Sequence, residues 1–170
     1  MEIRLSEPRD IQHIMNIIHF AQRHLKSFNI DQWQDGYPDE AQILDDIKKD
    51  ESFVVLDKDN KMLATFMLTT NGEPTYNTIE GEWITDNKTQ FGVIHRIAVA
   101  ENTINKGMAQ DIIRHCEGML KSQTITTMRI DTHQDNKGMQ HILKKLQYVY
   151  CGIITLNSGD IRFAYEKLMS

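Results

Sequence analysis

Asn105, Lys106 and Gly107 stand where an apolar run, residues 93–100, gives way through a short polar loop to a helical pattern. A glycine at such a junction carries no side chain to keep a ligand away, and a helix N-terminus presents unpaired N–H groups with partial positive charge. With Lys106 adding a cation and Ala109 keeping the first turn slim, the chemistry on offer is the binding of a phosphate-like anion. Neither a GxxxxGK[ST] loop nor a GxGxxG turn occurs, which removes the nucleoside-triphosphate and dinucleotide motifs. The same three residues also suit a tight strand-to-helix turn with no ligand at all.

A second set of residues could move protons or shape a pocket. His95 lies in the apolar run two residues before Ile97, and an imidazole titrates near neutrality, so it is the first candidate for a base. Glu82, in Gly81-Glu82-Trp83, is the next; Tyr148 and Tyr150 are the phenols that could supply a proton. Asp131 and His133 alternate about Thr132 and point to one face of a strand, but no nucleophile of hydrolase spacing joins them. Trp33, Tyr37 and Trp83 fall in irregular segments, where a large aromatic either plugs a core or walls a pocket. Those segments also carry Asp31, Asp35, Asp39, Glu80 and Glu82, which would favour a cationic amine if they gather in space. His13, His19 and His24 miss the spacing of a helical metal site, and Cys116 and Cys151 form no CxxC, so no metal is expected.

These residues need a scaffold, and hydrophobic periodicity supplies one. A strand over residues 3–5 leads through Ser6 and Pro8 into a helix with Ile11, Ile14, Ile18, Ala21 and Leu25 as its stripe. A second helix is predicted over residues 39–50 with Ala41, Leu44 and Ile47 inward, then a hairpin from residues 52–56 and 62–69. Residues 71–90 read as a long, surface-exposed connection. Residues 92–100 form a central strand, and a helix follows with Met108, Ile112, Cys116 and Met119 in one row. A strand at 124–132, a helix opening at Asn136 and a hairpin from 148–156 and 161–168 complete the chain. The expected fold is α/β (α+β), with a mixed, mostly antiparallel central sheet of about seven strands flanked by about four helices.

With 170 residues the chain suits one domain spanning 1–170. A formal net charge of -5 argues against a nucleic-acid partner. No apolar run approaches the ~18 residues of a membrane span, and the first residues lack the pattern of a signal peptide. Sparse cysteines without ligand spacing fit a reducing compartment, so a cytoplasmic location is expected.

The order of elements, with VIHRIAV, then NKGMA at a helix start, then RIDTHQDNKGMQHILKKLQY, resembles the GCN5-related N-acetyltransferase (GNAT) family across essentially the whole chain. Within it the chain looks like a bacterial group carrying Gln32-Trp33, Gly36-Tyr37-Pro38 and IHRIAV. The family's phosphate loop reads Arg/Gln-x-x-Gly-x-Gly/Ala. Gly107 and Ala109 match its last two places, while Ile104 stands where the first is polar. The resemblance implies acetyl-CoA as co-substrate, its pyrophosphate held by backbone N–H groups from Ile104 through Asn105, Lys106, Gly107, Met108 and Ala109. It further implies that Ile97, Ala98 and Val99 pair with the pantetheine arm, that a backbone N–H near Ile97 meets the oxyanion, and that Asn136 contacts the arm with Lys137 near a phosphate. The family's usual tyrosine acid, seven places beyond that asparagine, falls on Leu143 here, which leaves Tyr148 and Tyr150 as substitutes.

The function implied is acetyl transfer to a primary amine by direct attack in a ternary complex, the acceptor being a small molecule or a peptide. Trp33, Tyr37, Trp83 and His133 are its candidate contacts. The departures at Ile104 and Leu143 prompt an alternative, a module that binds acyl-CoA without turning it over. Homodimers are common in the family, and by analogy one is open to this chain.

Overall fold

The computed structural model describes residues 1–86, 88–104 and 107–169. Its strands and α-helices are β1 (Glu2–Leu5), α1 (Ile11–Ser27), α2 (Glu40–Lys48), β2 (Ser52–Leu56), β3 (Met62–Thr69), β4 (Glu80–Gly81), β5 (Gly92–Val99), α3 (Met108–Ser122), β6 (Thr127–Thr132), α4 (Lys137–Lys145), β7 (Val149–Thr155) and β8 (Ile161–Leu168). The sheet order is β1-β2-β3-β5-β6-β8-β7-β4. The β1–β2, β2–β3, β6–β8, β7–β8 and β4–β7 pairings are antiparallel, and β5 runs parallel to β6 at Gly92–Met128 and Val93–Arg129. The mixed, mostly antiparallel sheet is the one periodicity predicted, with the two-residue β4 as an eighth strand. The chain forms two compact units, Met1–Leu68 with His95–Asp111, and Thr69–Ile94 with Ile112–Ser170.

In the first unit α1 turns Ile14, Met15, Ile17 and Ile18 onto Ile43 and Ile47 of α2 and Val54, Leu56 and Ala98 of the sheet. Burying each such side chain contributes about 1.5–3 kcal/mol relative to exposure. Asp39 caps α2 by accepting a 2.8 Å bond from the Gln42 N–H. The inward face of α2 is Ile43, Asp46 and Ile47, while Ala41 and Leu44 face solvent, contrary to the apolar stripe read from sequence. The helix is rotated because a carboxylate, Asp46, is drawn inside by a cation described below.

At the entry to α1, Asp10 accepts bonds of 2.7 and 3.0 Å from the Arg4 guanidinium and one of 2.8 Å from the Glu7 N–H. The Arg4 hydrogen bonds and the Glu7 N–H hold the Asp10 carboxyl below its ordinary 3.8. A carboxyl with a depressed folded pKa stabilises the fold above its unfolded pKa and loses that contribution as pH falls through the folded value. Asp10→Asn is therefore expected to lower the urea midpoint near neutral pH and to differ progressively less from the parent below about pH 4. Paired urea titrations at the two pH values check this.

In the second unit the connection between β3 and β5 is largely exposed, as its polar letters suggest, but two of its aromatics are not. Tyr76 and Trp83 are buried with Val93, Ile154 and Ala164, and the Trp83 indole N–H donates to the Tyr76 carbonyl at 3.0 Å. Behind them lies a buried ion pair, Arg129 to Glu166 at 2.9 Å, with side-chain exposures of 1% and 0%. The Arg129 guanidinium stacks 4.2 Å from the Trp83 ring and 4.0 Å from that of Phe91, and donates to Thr85. Glu166 also accepts from the backbone N–H groups of Ile84 and Thr85 and from the Thr85 hydroxyl. Two distant charges thus pin the polar connection from below.

The sixth strand begins at Thr127, later than predicted, because the chain first closes α3. Thr124 takes φ +63, and the Ile125 N–H returns to the Leu120 carbonyl at 3.0 Å. Cys116 and Cys151 are free and buried.

Candidate functional site

The first unit carries the strand that sequence analysis marked for acyl chemistry. Along β5, His95, Ile97 and Val99 are partly buried and Ala98 is buried. Between His95 and Ile97 the strand is irregular: Arg96 has φ +55, a left-handed conformation that a non-glycine residue adopts rarely. Such a kink interrupts alternation and re-aims the flanking backbone groups, a device concentrated near active sites. Its side chain is fixed by a fork: Nε and Nη2 donate to the Asp46 carboxylate at 2.7 and 2.8 Å, and Nη1 donates to the Tyr37 hydroxyl. The Gln42 amide adds a 3.0 Å bond to Asp46. Arg96 and Asp46 side chains are only 8% and 3% exposed, and burial pushes the Asp46 carboxyl up against the pull of Arg96. Sequence reading passed over both. The available signal was an arginine within an apolar strand, a position that requires a buried partner.

At the start of α3, Gly107 has φ +82, and a Cβ built there would meet nothing within 4 Å. The glycine is thus required by the backbone angle, and the space beside it is open. Its carbonyl accepts the Asp111 N–H at 3.1 Å, while Met108 and Ala109 lie partly buried on the first turn. Ile104, also partly buried, is the last described residue before the loop, and Asn105 and Lys106 lie outside the described residues.

The loop before α2 is tied to α1: the Gln22 amide donates to the Tyr37 carbonyl and the Gln34 amide to the Gln22 carbonyl, each at 3.0 Å. Tyr37 is 38% exposed, whereas Trp33 packs on the core of this unit. Asp35 accepts from the Tyr37 N–H at 3.1 Å. A groove of about 340 Å³ along α1 is bordered by Asn16, His19, Asp39 and Glu40.

The second unit holds the remaining candidates. Asn136 accepts the Met139 N–H at 3.1 Å and so caps α4, and Lys137 donates to the Gln134 carbonyl at 2.7 Å. The His133 Nδ1 accepts the Asp135 N–H at 3.2 Å, and Asp131 accepts the Tyr76 hydroxyl at 2.7 Å. Tyr148 donates to Glu117 at 3.0 Å, Lys167 donates to the same oxygen at 2.9 Å, and burial first, then Glu117, raises the phenol far above its ordinary value. That phenol is a packing group with a committed proton. Tyr150 is half exposed and meets Phe163 and Tyr165 edge-on. Leu143, at the family's tyrosine position, is wholly buried. Glu82 is exposed, and Trp83 is a core plug under Arg129 rather than a pocket wall. No cluster of three or more His, Cys, Asp or Glu arranged to hold a metal occurs among the described residues.

A model of the acetyltransferase (GNAT) family matches residues 18–148. A GNAT-family acetyltransferase of Streptococcus agalactiae superimposes with a TM-score of 0.88 at 34% identity, over 99% of this chain and 95% of that one. A GNAT-family acetyltransferase of Listeria monocytogenes gives 0.78 at 16% identity, over 99% and 94% of the two chains. The PaiA N-acetyltransferase of Thermoplasma acidophilum, solved in complex with coenzyme A, gives 0.71 at 13% identity, over 98% of each. No curated protein matches the sequence.

Proposed function

Because the chain belongs to the acetyltransferase (GNAT) family, we propose that it transfers the acetyl group of acetyl-CoA to a primary amine by direct attack in a ternary complex. The observation that carries this reading is Gly107, left-handed with open space at the start of α3, on the chain position where the family binds pyrophosphate. Backbone N–H groups from Ile104 to Ala109 take the diphosphate, assisted by the Lys106 cation, and that cradle does not depend on the side chain lost at Ile104. Ile97, Ala98 and Val99 offer backbone groups to the pantetheine arm, and Asn136 and Lys137 are assigned to the same cofactor on the family pattern.

The amine nitrogen attacks the thioester carbonyl carbon, the C–O double bond opens to an oxyanion met by the Ile97 N–H, and a proton leaves nitrogen for His95 directly or through water. The oxyanion then collapses, the C–S bond breaks, and coenzyme A departs as a thiolate that takes up a proton. A thiolate leaves without much acid help, so the absent family tyrosine is compatible with turnover. With Tyr148 held by Glu117, the exposed Tyr150 is the better phenol. On the acceptor side we assign Tyr37, with Asp39 and Glu40 favouring a cationic amine. One domain in the cytoplasm, alone or as a homodimer, suits this role; no described helix is long and apolar enough to cross a membrane.

The test is coenzyme A release from acetyl-CoA across a panel of polyamines, amino acids and peptide N-termini, beside a calorimetric titration with acetyl-CoA. Saturable binding with release supports the enzyme. Binding with no release on any amine supports the alternative, an acyl-CoA-binding module, which Ile104 and Leu143 favour. No binding removes both. His95→Ala is expected to lower kcat by about 10²–10⁴ with little change in acetyl-CoA affinity. An unchanged kcat would take His95 out of the mechanism.

A further inference from the structure

The geometry points to Arg96 as a positioning residue that sets the acyl-transfer strand and the acceptor loop from a single guanidinium; this rests on the acetyl transfer proposed above. A left-handed non-glycine residue inside a strand persists only where its surroundings over-determine it. Around Arg96, at φ +55, those surroundings are the fork to Asp46 at 2.7 and 2.8 Å and the bond to the Tyr37 hydroxyl. Asp46 is itself fixed by Gln42 and lies on the buried face of α2 beside Ile47. Tyr37 is held through its main chain, its carbonyl by Gln22 and its N–H by Asp35. Strand, helix and loop therefore converge on one planar cation.

The neighbours of that cation give the convergence its chemical meaning. Ile97, next in sequence, supplies the N–H assigned to the oxyanion, and His95, the residue before, is the assigned base. Rotation about the Arg96 backbone moves both. A guanidinium can serve a carboxylate in two parallel bonds and a phenol with a third donor, whereas an ammonium cannot hold that geometry. Arg96 touches neither reactant in this assignment. It acts through Ile97, His95 and Tyr37.

The experiment compares wild type, Arg96→Lys and Asp46→Asn for kcat, amine KM, coenzyme A affinity by calorimetry, and amide hydrogen exchange over residues 31–38 and 92–99 without substrate. The expected result for Arg96→Lys is a folded protein with kcat lowered about a hundredfold, since a small misplacement of reacting groups has effects of that order. Amine KM should rise, coenzyme A affinity should fall by much less than kcat because its phosphates are held elsewhere even where the strand along the pantetheine arm shifts, and exchange should quicken in both segments together. Should Arg96→Lys fail to fold, Asp46→Asn, which keeps the shape of the carboxylate, is expected to show the same split at smaller size. A kcat loss that only tracks the folded fraction with amine KM unmoved, or faster exchange in one segment alone, would overturn the assignment. If wild type transfers no acetyl group, the proposed function falls, and the exchange data still decide whether Arg96 couples strand and loop.

Discussion

Replacing Arg129 by Met while Glu166 stays in place is expected to lower the unfolding free energy by about 3–5 kcal/mol, the range for leaving one charge of a buried pair uncompensated. Every 1.4 kcal/mol is tenfold in an equilibrium constant, so the folding equilibrium constant should fall by more than two powers of ten. The expectation sits at the high end for single substitutions because Arg129 does several things at once. It neutralises a carboxylate with no solvent exposure, covers the faces of Trp83 and Phe91, and donates to Thr85. Without it Glu166 keeps, among the described residues, the Ile84 and Thr85 donors. Denaturant unfolding at neutral pH measures the loss. Adding Glu166→Leu to the Met variant should recover a large part, because removing both charges leaves no orphan. A single-variant loss below about 1 kcal/mol would mean that water reaches the pair.

The second large effect is on ligand binding. Gly107→Glu is expected to abolish measurable acetyl-CoA binding, with a calorimetric titration going from saturable to flat, while the variant still unfolds cooperatively. The folding cost is bounded: a side chain in the left-handed region adds strain of roughly 1–3 kcal/mol, and open space beside the Cβ adds no clash. The binding cost is larger because a carboxylate there meets the diphosphate at close range and cancels the helix-terminus field that favours an anion. Gly107→Ala separates the two contributions, since it brings the backbone strain without the charge. Parallel losses of stability and binding in both variants would reduce Gly107 to the corner of a turn.

What could be read from the letters follows from the range of the interactions. Apolar periodicity placed α1, the β2–β3 hairpin and the β7–β8 hairpin because each is stabilised by residues close in sequence. Gly107 was legible for the same reason, since one residue's backbone angle is a local matter. The face of α2 was misjudged because Asp46 is turned inward by Arg96, fifty positions away. Within the largely exposed residues 71–90 the burial of Tyr76 and Trp83 was missed, because the anchors beneath them, Arg129 and Glu166, belong to β6 and β8. Alternation put Asp131 and His133 on one strand face, but β6 ends at Thr132 and Asp131 accepts the phenol of Tyr76 from far along the chain. In each case a polar pairing across the chain overrode a local pattern, and a composition-based reading has no access to such partners.

The two cysteines bear on how the proposed reaction can be followed. Cys116 has no exposed surface and Cys151 very little, and burial raises both thiols above their ordinary values, so neither is a ready thiolate at working pH. A chromogenic disulfide reagent added to the folded protein should therefore react slowly with the chain and promptly with free coenzyme A. The colour that develops would count turnovers continuously, with a low blank, and the same reagent would turn the release of these two thiols into a clock for unfolding.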